Sequence, residues 1–297
     1  MASITDHFGI TGDVPFVDVD LTTDTKQYVD PHRIRLRGIP TKTSAEALKC
    51  LDTFLGAITH AVLIADPAGT SLLADFTEPR ETRLGMAAQG SNGHGSSAEI
   101  GEQIWKALNT DLHALLDVGI LKHLEDLPVF VHGIDKDITS DITTRIIYSP
   151  LVDFTTEMIQ RYPVIGAQMQ SFDKRIWDPG SNTWMTRTVS LPVVDDKALL
   201  LVPRQWVGTA LLLNAKRFYE TEMLTYAQAE QTTVLANGKI NRPNKDQLKK
   251  QPALPRGRDT HLKVTLRAHA AGDDLMGLFR FFAKQQFLRK LRETTGS

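Results

Sequence analysis

The sequence predicts an α+β fold, or an irregular α/β one, in which a mixed sheet packs against helices and a basic helical segment closes the chain. Three observations carry this. Stretches with apolar residues at helical spacing and stretches alternating with period two both occur, without the strict alternation that a doubly wound sheet requires. The 297 residues, 41% apolar and 23% charged, can build a core in one large or two modest domains. The charge is uneven: residues 236–297 hold 14 Lys/Arg against 5 Asp/Glu, and residues 1–235 hold 20 against 30. The expected organisation is a net acidic mixed α/β body over 1–235, then a basic linker and a C-terminal amphipathic helix over 236–297.

In chain order, "VPFVDVDL" (Val14 to Leu21) alternates apolar and acidic residues and predicts a strand, with Asp18 and Asp20 on its solvated face. "TSAEALKCLDTFLGAI" opens on Thr43 and Glu46 as a capping box and predicts an amphipathic helix. Leu72 to Phe76 reads as a strand that breaks at Pro79. Ser96 and Glu99 form a second capping box, and Ile100, Ile104, Leu108 and Leu112 predict a helix over 97–117. "DLPVFVHG" reads as a buried strand, and residues 137–163 as a long helix that Pro150 kinks or splits. "TWMTRTVSLPVVDDKALLLVP" predicts a hairpin turning at Asp195-Asp196, with "ALLLV" buried on both faces. Asn214 caps a helix to about Leu235, and residues 236–258, rich in Pro, Asn, Gly and Lys, read as a linker. "HLKVTLRAHA" suggests a strand, and the last helix places Leu275, Leu278, Phe279, Phe282 and Gln286 or Phe287 on one side.

The lone Cys50, in an apolar-periodic segment, excludes an internal disulfide framework and reads as a buried thiol. "MASITDHFGITGD" lacks the basic start and apolar core of a signal peptide, and the longest apolar stretch, residues 54–65, contains Thr59 and His60. The expectation is a cytoplasmic protein with no membrane partner. The nine histidines show no zinc spacing, and G-x-S-x-G is absent.

"GMAAQGSNGHGSSAEIGEQIW" (Gly85 to Trp105) raises the question of a phosphate cradle. A P-loop fails because Ser96 stands where a lysine must reach the phosphates. A dinucleotide fingerprint fits the string at Gly93, Gly95 and Ala98 but has no strand before it. What remains is phosphate binding at a capped helix start through Gly93, Gly95 and Ser96, with Arg80 and Arg83 upstream; a plain connecting loop explains the same residues.

Clustered carboxylates suit Mg²⁺, a hard ion that takes a few anionic oxygens plus water and substrate phosphate. Glu78, Glu81, Asp137 and Asp141 are the candidate ligands, and Glu81, Asp137 and Asp141 the candidate catalytic groups. A helix capped by Thr139 or Ser140, with Asp141 in its first turn and Asp137 in the preceding loop, accounts for the same aspartates. In the basic segment, Lys249, Lys250, Arg256, Arg258, Arg289 and Lys290 are candidate phosphate contacts, which need only mobile cations. The alternative is a solubilising face on a docked helix. "PFVDVDLTTDTKQYVDP", "EPRETRLGM", "GIDKDITSDITT" and "LLLVPRQWV", under a fifth of the chain, resemble a group of uncharacterised bacterial proteins associated with phage-defence loci. That resemblance implies only a setting in antiviral defence. Two functions follow as expectations: a Mg²⁺-dependent, nuclease-like phosphodiesterase, or a non-catalytic subunit that binds nucleic acid or a protein partner.

Overall fold

The computed structural model describes residues 3–76, 78–85 and 97–295 and has the expected α+β architecture. The chain divides into two compact units: residues 1–106, 123–125 and 135–211, and residues 107–122, 126–134 and 212–297. The C-terminal portion therefore separates at 211/212, where the sequence suggested 235/236, and it incorporates two earlier segments.

In the first unit, Val14, Phe16, Val17, Val19 and Leu21 are buried, but 14–21 forms no strand. Asp20 accepts the Thr22 and Thr23 N–H groups (2.7 and 3.2 Å), which turns the chain. Asp18 is taken up by the N–H and hydroxyl of Thr5. Helix α1 (Pro31–Arg37) is capped by Asp30, with proline where an N–H has no helical partner anyway. Helix α2 (Thr41–Leu63) begins two residues before the Thr43 box and buries Ala47, Cys50, Leu51, Phe54, Leu55 and Ile58. Cys50 is buried as expected, and that burial pushes its thiol up to about 12. The strand expected over 72–76 is a helical turn, Gly69–Leu72, followed by irregular chain that buries Leu73 and Phe76.

Helix α3 (Ser97–Asn109) and the short helix His113–Asp117 replace one continuous helix over 97–117. Helices α4 (Lys136–Ile146) and α5 (Tyr148–Arg161) replace the long one, with Pro150 in the first turn of α5, where its missing N–H costs nothing. A long hairpin follows. Strand β1 (Met169–Asp178) pairs antiparallel with β2 (Thr183–Val194), from Met169 opposite Pro192 to Asp178 opposite Thr183. Asp195 and Asp196, both at positive φ (50° and 59°), turn β2 into β3 (Lys197–Ala198), as the sequence predicts. Of the expected "ALLLV" strand, only Ala198 pairs. Leu199 to Val202 is buried, and the Leu200 and Leu201 N–H groups go to Glu81 O (2.9 Å) and Thr155 Oγ1 (3.0 Å). Trp177 and Trp184, from the tip of the hairpin, close on Phe54 at ring separations of 5.0 and 5.9 Å. Each such aromatic contributes roughly 1.5–3 kcal/mol through burial.

Glu125 is bound within the same unit. Arg35 Nε donates to it at 2.7 Å, His32 Nδ1 lies 3.3 Å away, and Arg35 also grips Asp52 at 2.7 and 3.3 Å. Burial alone would raise the Glu125 pKa; the His32 hydrogen bond and the Arg35 charge outweigh it and hold it at about 2.

In the second unit, "DLPVFVHG" contains a helical turn, Leu127–Phe130, rather than a strand. A four-residue apolar run has no diagnostic period, and Pro128 fits a helix start. Asn214 caps α6 (Ala215–Phe218) as predicted, and the chain continues through a π-helical turn, Tyr219–Met223, into α7 (Leu224–Glu230). The expected linker is structured: β4 (Thr233–Val234) pairs with β5 (Ile240–Asn241), and α8 (Lys245–Lys249) starts with an Asn244/Gln247 capping box. "HLKVTLRAHA" lies in α9 (Arg258–Ala270), where Thr260, His261, Val264, Thr265 and Ala268 form the buried stripe. Its apolar residues satisfy period two and helical spacing together, and the helical stripe is the one that packs. The last helix, α10 (Leu275–Thr295), buries Leu275, Met276, Phe279, Ala283 and Phe287, while Leu278 is 53% exposed.

Candidate functional site

The first unit contains a cleft of about 580 Å³. Its floor begins at the 3₁₀ turn Arg80–Thr82, which carries Arg80 and Glu81, with Glu78 just before it. Arg83 follows in the left-handed region (φ 54°), and its carbonyl accepts the Thr25 N–H at 2.8 Å, bringing Asp24 to the rim. Gly85 closes this crossing with its N–H on Thr25 O (3.1 Å). It needs to be glycine: its φ is +117°, and an added Cβ would stand 3.1 Å from Asp137 Oδ1. Strand β1 supplies Phe172 and Lys174, two apart and therefore on one face, and β3 supplies Lys197.

Most of the cleft's charges cancel in pairs. Glu81 ion-pairs with Lys174 and accepts the Tyr148 hydroxyl at 3.2 Å. Burial, then the Glu81 charge, pushes the Tyr148 hydroxyl far above its usual range, so it stays a donor. Arg80 pairs with Glu78 at 3.1 Å. Arg83 and Lys197 have no ion-pair partner among the described residues, and Arg83 Nε is buried without a hydrogen bond.

Asp141 is half-buried on α4. Burial first, then the carboxylates of Asp137, Glu78, Asp135 and Asp24, push its pKa up to about 8. Glu78 and Asp24 also line the cleft, so the Asp141 carboxyl is electrostatically continuous with it.

The four expected Mg²⁺ ligands do not meet as a metal cage. Among the described residues, no group of three or more His, Cys, Asp or Glu is placed to hold a metal ion. Glu81 is occupied by Lys174 and Tyr148, and Glu78 by Arg80. Asp137 lies in the first turn of α4 and donates its backbone N–H to Asp135, the helix cap, at 3.0 Å. The cap is thus Asp135, where the sequence suggested Thr139 or Ser140. Both of those instead lie inside the helix, with the Thr139 hydroxyl on Asp135 O (2.5 Å) and Ser140 Oγ accepting the Val29 N–H (2.9 Å).

Of the expected phosphate contacts, Arg80 and Arg83 line the cleft, and Gly93, Gly95 and Ser96 lie outside the described residues. The others belong to the second unit. Several are engaged there: Lys249 with Asp246 (3.1 Å), Arg256 with Glu220 (2.5 Å), and Arg289 with Gln286 and Glu293 (3.0 and 3.7 Å). Arg258 buries its Nε, Lys250 is exposed, and Lys290 lies exposed on α10. Phe172 and Lys174 were not foreseen as site residues. The period-two run Gln170, Phe172, Lys174, Ile176 was the available signal.

These features define an α+β protein with a cleft whose net unpaired charge is cationic. The family described as a domain of unknown function, DUF8370, matches residues 9–214, and the chain belongs to it. The matched stretch includes every residue of the cleft. No curated protein and no solved structure matches the chain.

Proposed function

We propose that the protein binds nucleic acid by its phosphates through the cleft of the first unit, as a non-catalytic subunit. The observation that supports this best is the charge ledger of the cleft: Lys174 and Arg80 are neutralised by Glu81 and Glu78, leaving Arg83 and Lys197 against one acid without an ion pair among the described residues, Asp24. An unpaired guanidinium with a buried donor is costly unless a ligand completes it. Purified protein titrated with fluorescein-labelled single-stranded and duplex oligonucleotides tests the reading. Arg83→Gln with Lys197→Gln should weaken binding at least tenfold; unchanged affinity removes the cleft from this role.

A second reading, phosphodiester cleavage, is favoured by Asp141, which keeps its proton near neutral pH and could donate it to a leaving oxygen. The same oligonucleotides, incubated with Mg²⁺, Mn²⁺ or chelator, decide between the two. Product formation that Asp141→Asn abolishes supports the enzyme, and intact substrate in every condition supports the binding subunit.

A further inference from the structure

Resting on the phosphate-binding reading, we propose that the cleft takes one unpaired base against the Phe172 ring while Arg83 and Lys197 hold the adjoining phosphate, making the ligand single-stranded nucleic acid or a nucleotide. Phe172 is the aromatic side chain of the cleft lining, half-buried on a stretch of β1 whose neighbours Ser171 and Asp173 are exposed. Its cross-strand partner, Val189, is buried at 5% exposure, so the ring rests on the core at its base. The Lys174 ammonium lies 5.5 Å from the ring centroid, and Glu81 holds that ammonium in place. The ring is thus a braced apolar surface within a cationic cleft. Such a surface contributes nothing to phosphate contact, which needs only mobile cations. It suits the π-face of a base, and stacking of this kind accepts every base. In a duplex those faces are covered by neighbouring pairs. A volume of about 580 Å³ falls within the roughly 300–1,000 Å³ of small-ligand sites and is far too small for a double helix.

The test uses the full chain and three probes: labelled oligothymidylate, an abasic deoxyribose-phosphate oligomer of equal length, and thymidine monophosphate as competitor. Wild type should bind the base-bearing strand at least about fivefold more tightly than the abasic one, the lower end of what a stacked base is worth. Phe172→Leu should lose that preference and leave abasic binding unchanged, whereas Phe172→Tyr should keep it. Displacement by the mononucleotide identifies a free nucleotide as sufficient; displacement only by strands identifies a polymer, and both outcomes support a stacked base. Equal affinity of wild type for the two strands overturns the inference even if Phe172→Leu fails to fold. In that event, weakened binding of both strands by Arg83→Gln preserves the phosphate reading, and no binding of either strand overturns both.

Discussion

At the scale of single residues, the site is governed by which charges find partners. Asp141 holds its proton in the folded chain up to about pH 8 and loses it in the unfolded chain near the ordinary 3.8. Between those values the folded state carries the extra proton, so stability falls as pH rises, by at most about 1.4 kcal/mol per pH unit. Thermal melting of wild type from pH 5 to 8 should therefore show a declining midpoint, and Asp141→Asn should flatten the profile and melt higher at pH 8. An equally steep decline in Asp141→Asn would reject the assignment. Gly85→Ala forces φ +117° on an L residue and a Cβ to 3.1 Å from Asp137 Oδ1; a loss of about 1–3 kcal/mol is expected in denaturant titration. The sequence marked Glu78, Arg80, Glu81 and Arg83 as chemically loaded, but it could not reveal their pairings. Lys174 reaches Glu81 across 93 positions, a pairing that no local sequence pattern announces.

Legibility at the scale of elements depended on whether the local code had one solution. The Asp195-Asp196 turn was readable because two consecutive positive φ values call for a short polar pair. The Asn214 cap was readable for the same kind of reason, a side-chain acceptor placed before the first free N–H groups. "LPVF" and "HLKVTLRAHA" were not, because the first is too short to show a period, the second satisfies strand and helix spacing alike, and both are helical. Helix α4 carries its own test. Asp135 accepts the Asp137 and Ile138 N–H groups (3.0 and 3.2 Å), so Asp135→Ala should cost about 0.5–2 kcal/mol of stability. Arg35 links α1 and α2 to the buried Glu125, and Arg35→Met removes its charge partner and leaves only the His32 contact. A loss of about 3–5 kcal/mol in urea unfolding is the expected outcome.

For the whole molecule, the charge asymmetry that was evident in the sequence survives, but its meaning changes. The second unit carries 17 Lys/Arg against 11 Asp/Glu, and Arg256, Arg267, Arg280 and Lys249 are committed to acids within it. A basic composition thus supplies fewer available cations than a count suggests. The first unit, acidic overall, gathers two cations without ion-pair partners among the described residues into one cleft. Lys249→Gln with Lys250→Gln should accordingly change oligonucleotide affinity less than the cleft pair does. The most direct measurement is the salt dependence of oligothymidylate binding by wild type and by Arg83→Gln with Lys197→Gln. Each phosphate contact on a single strand contributes about 0.7 to the slope of log affinity against log salt, so the double variant should lower that slope by about 1.4. An identical slope in the two proteins would contradict the account, because the two cations would then make no phosphate contact.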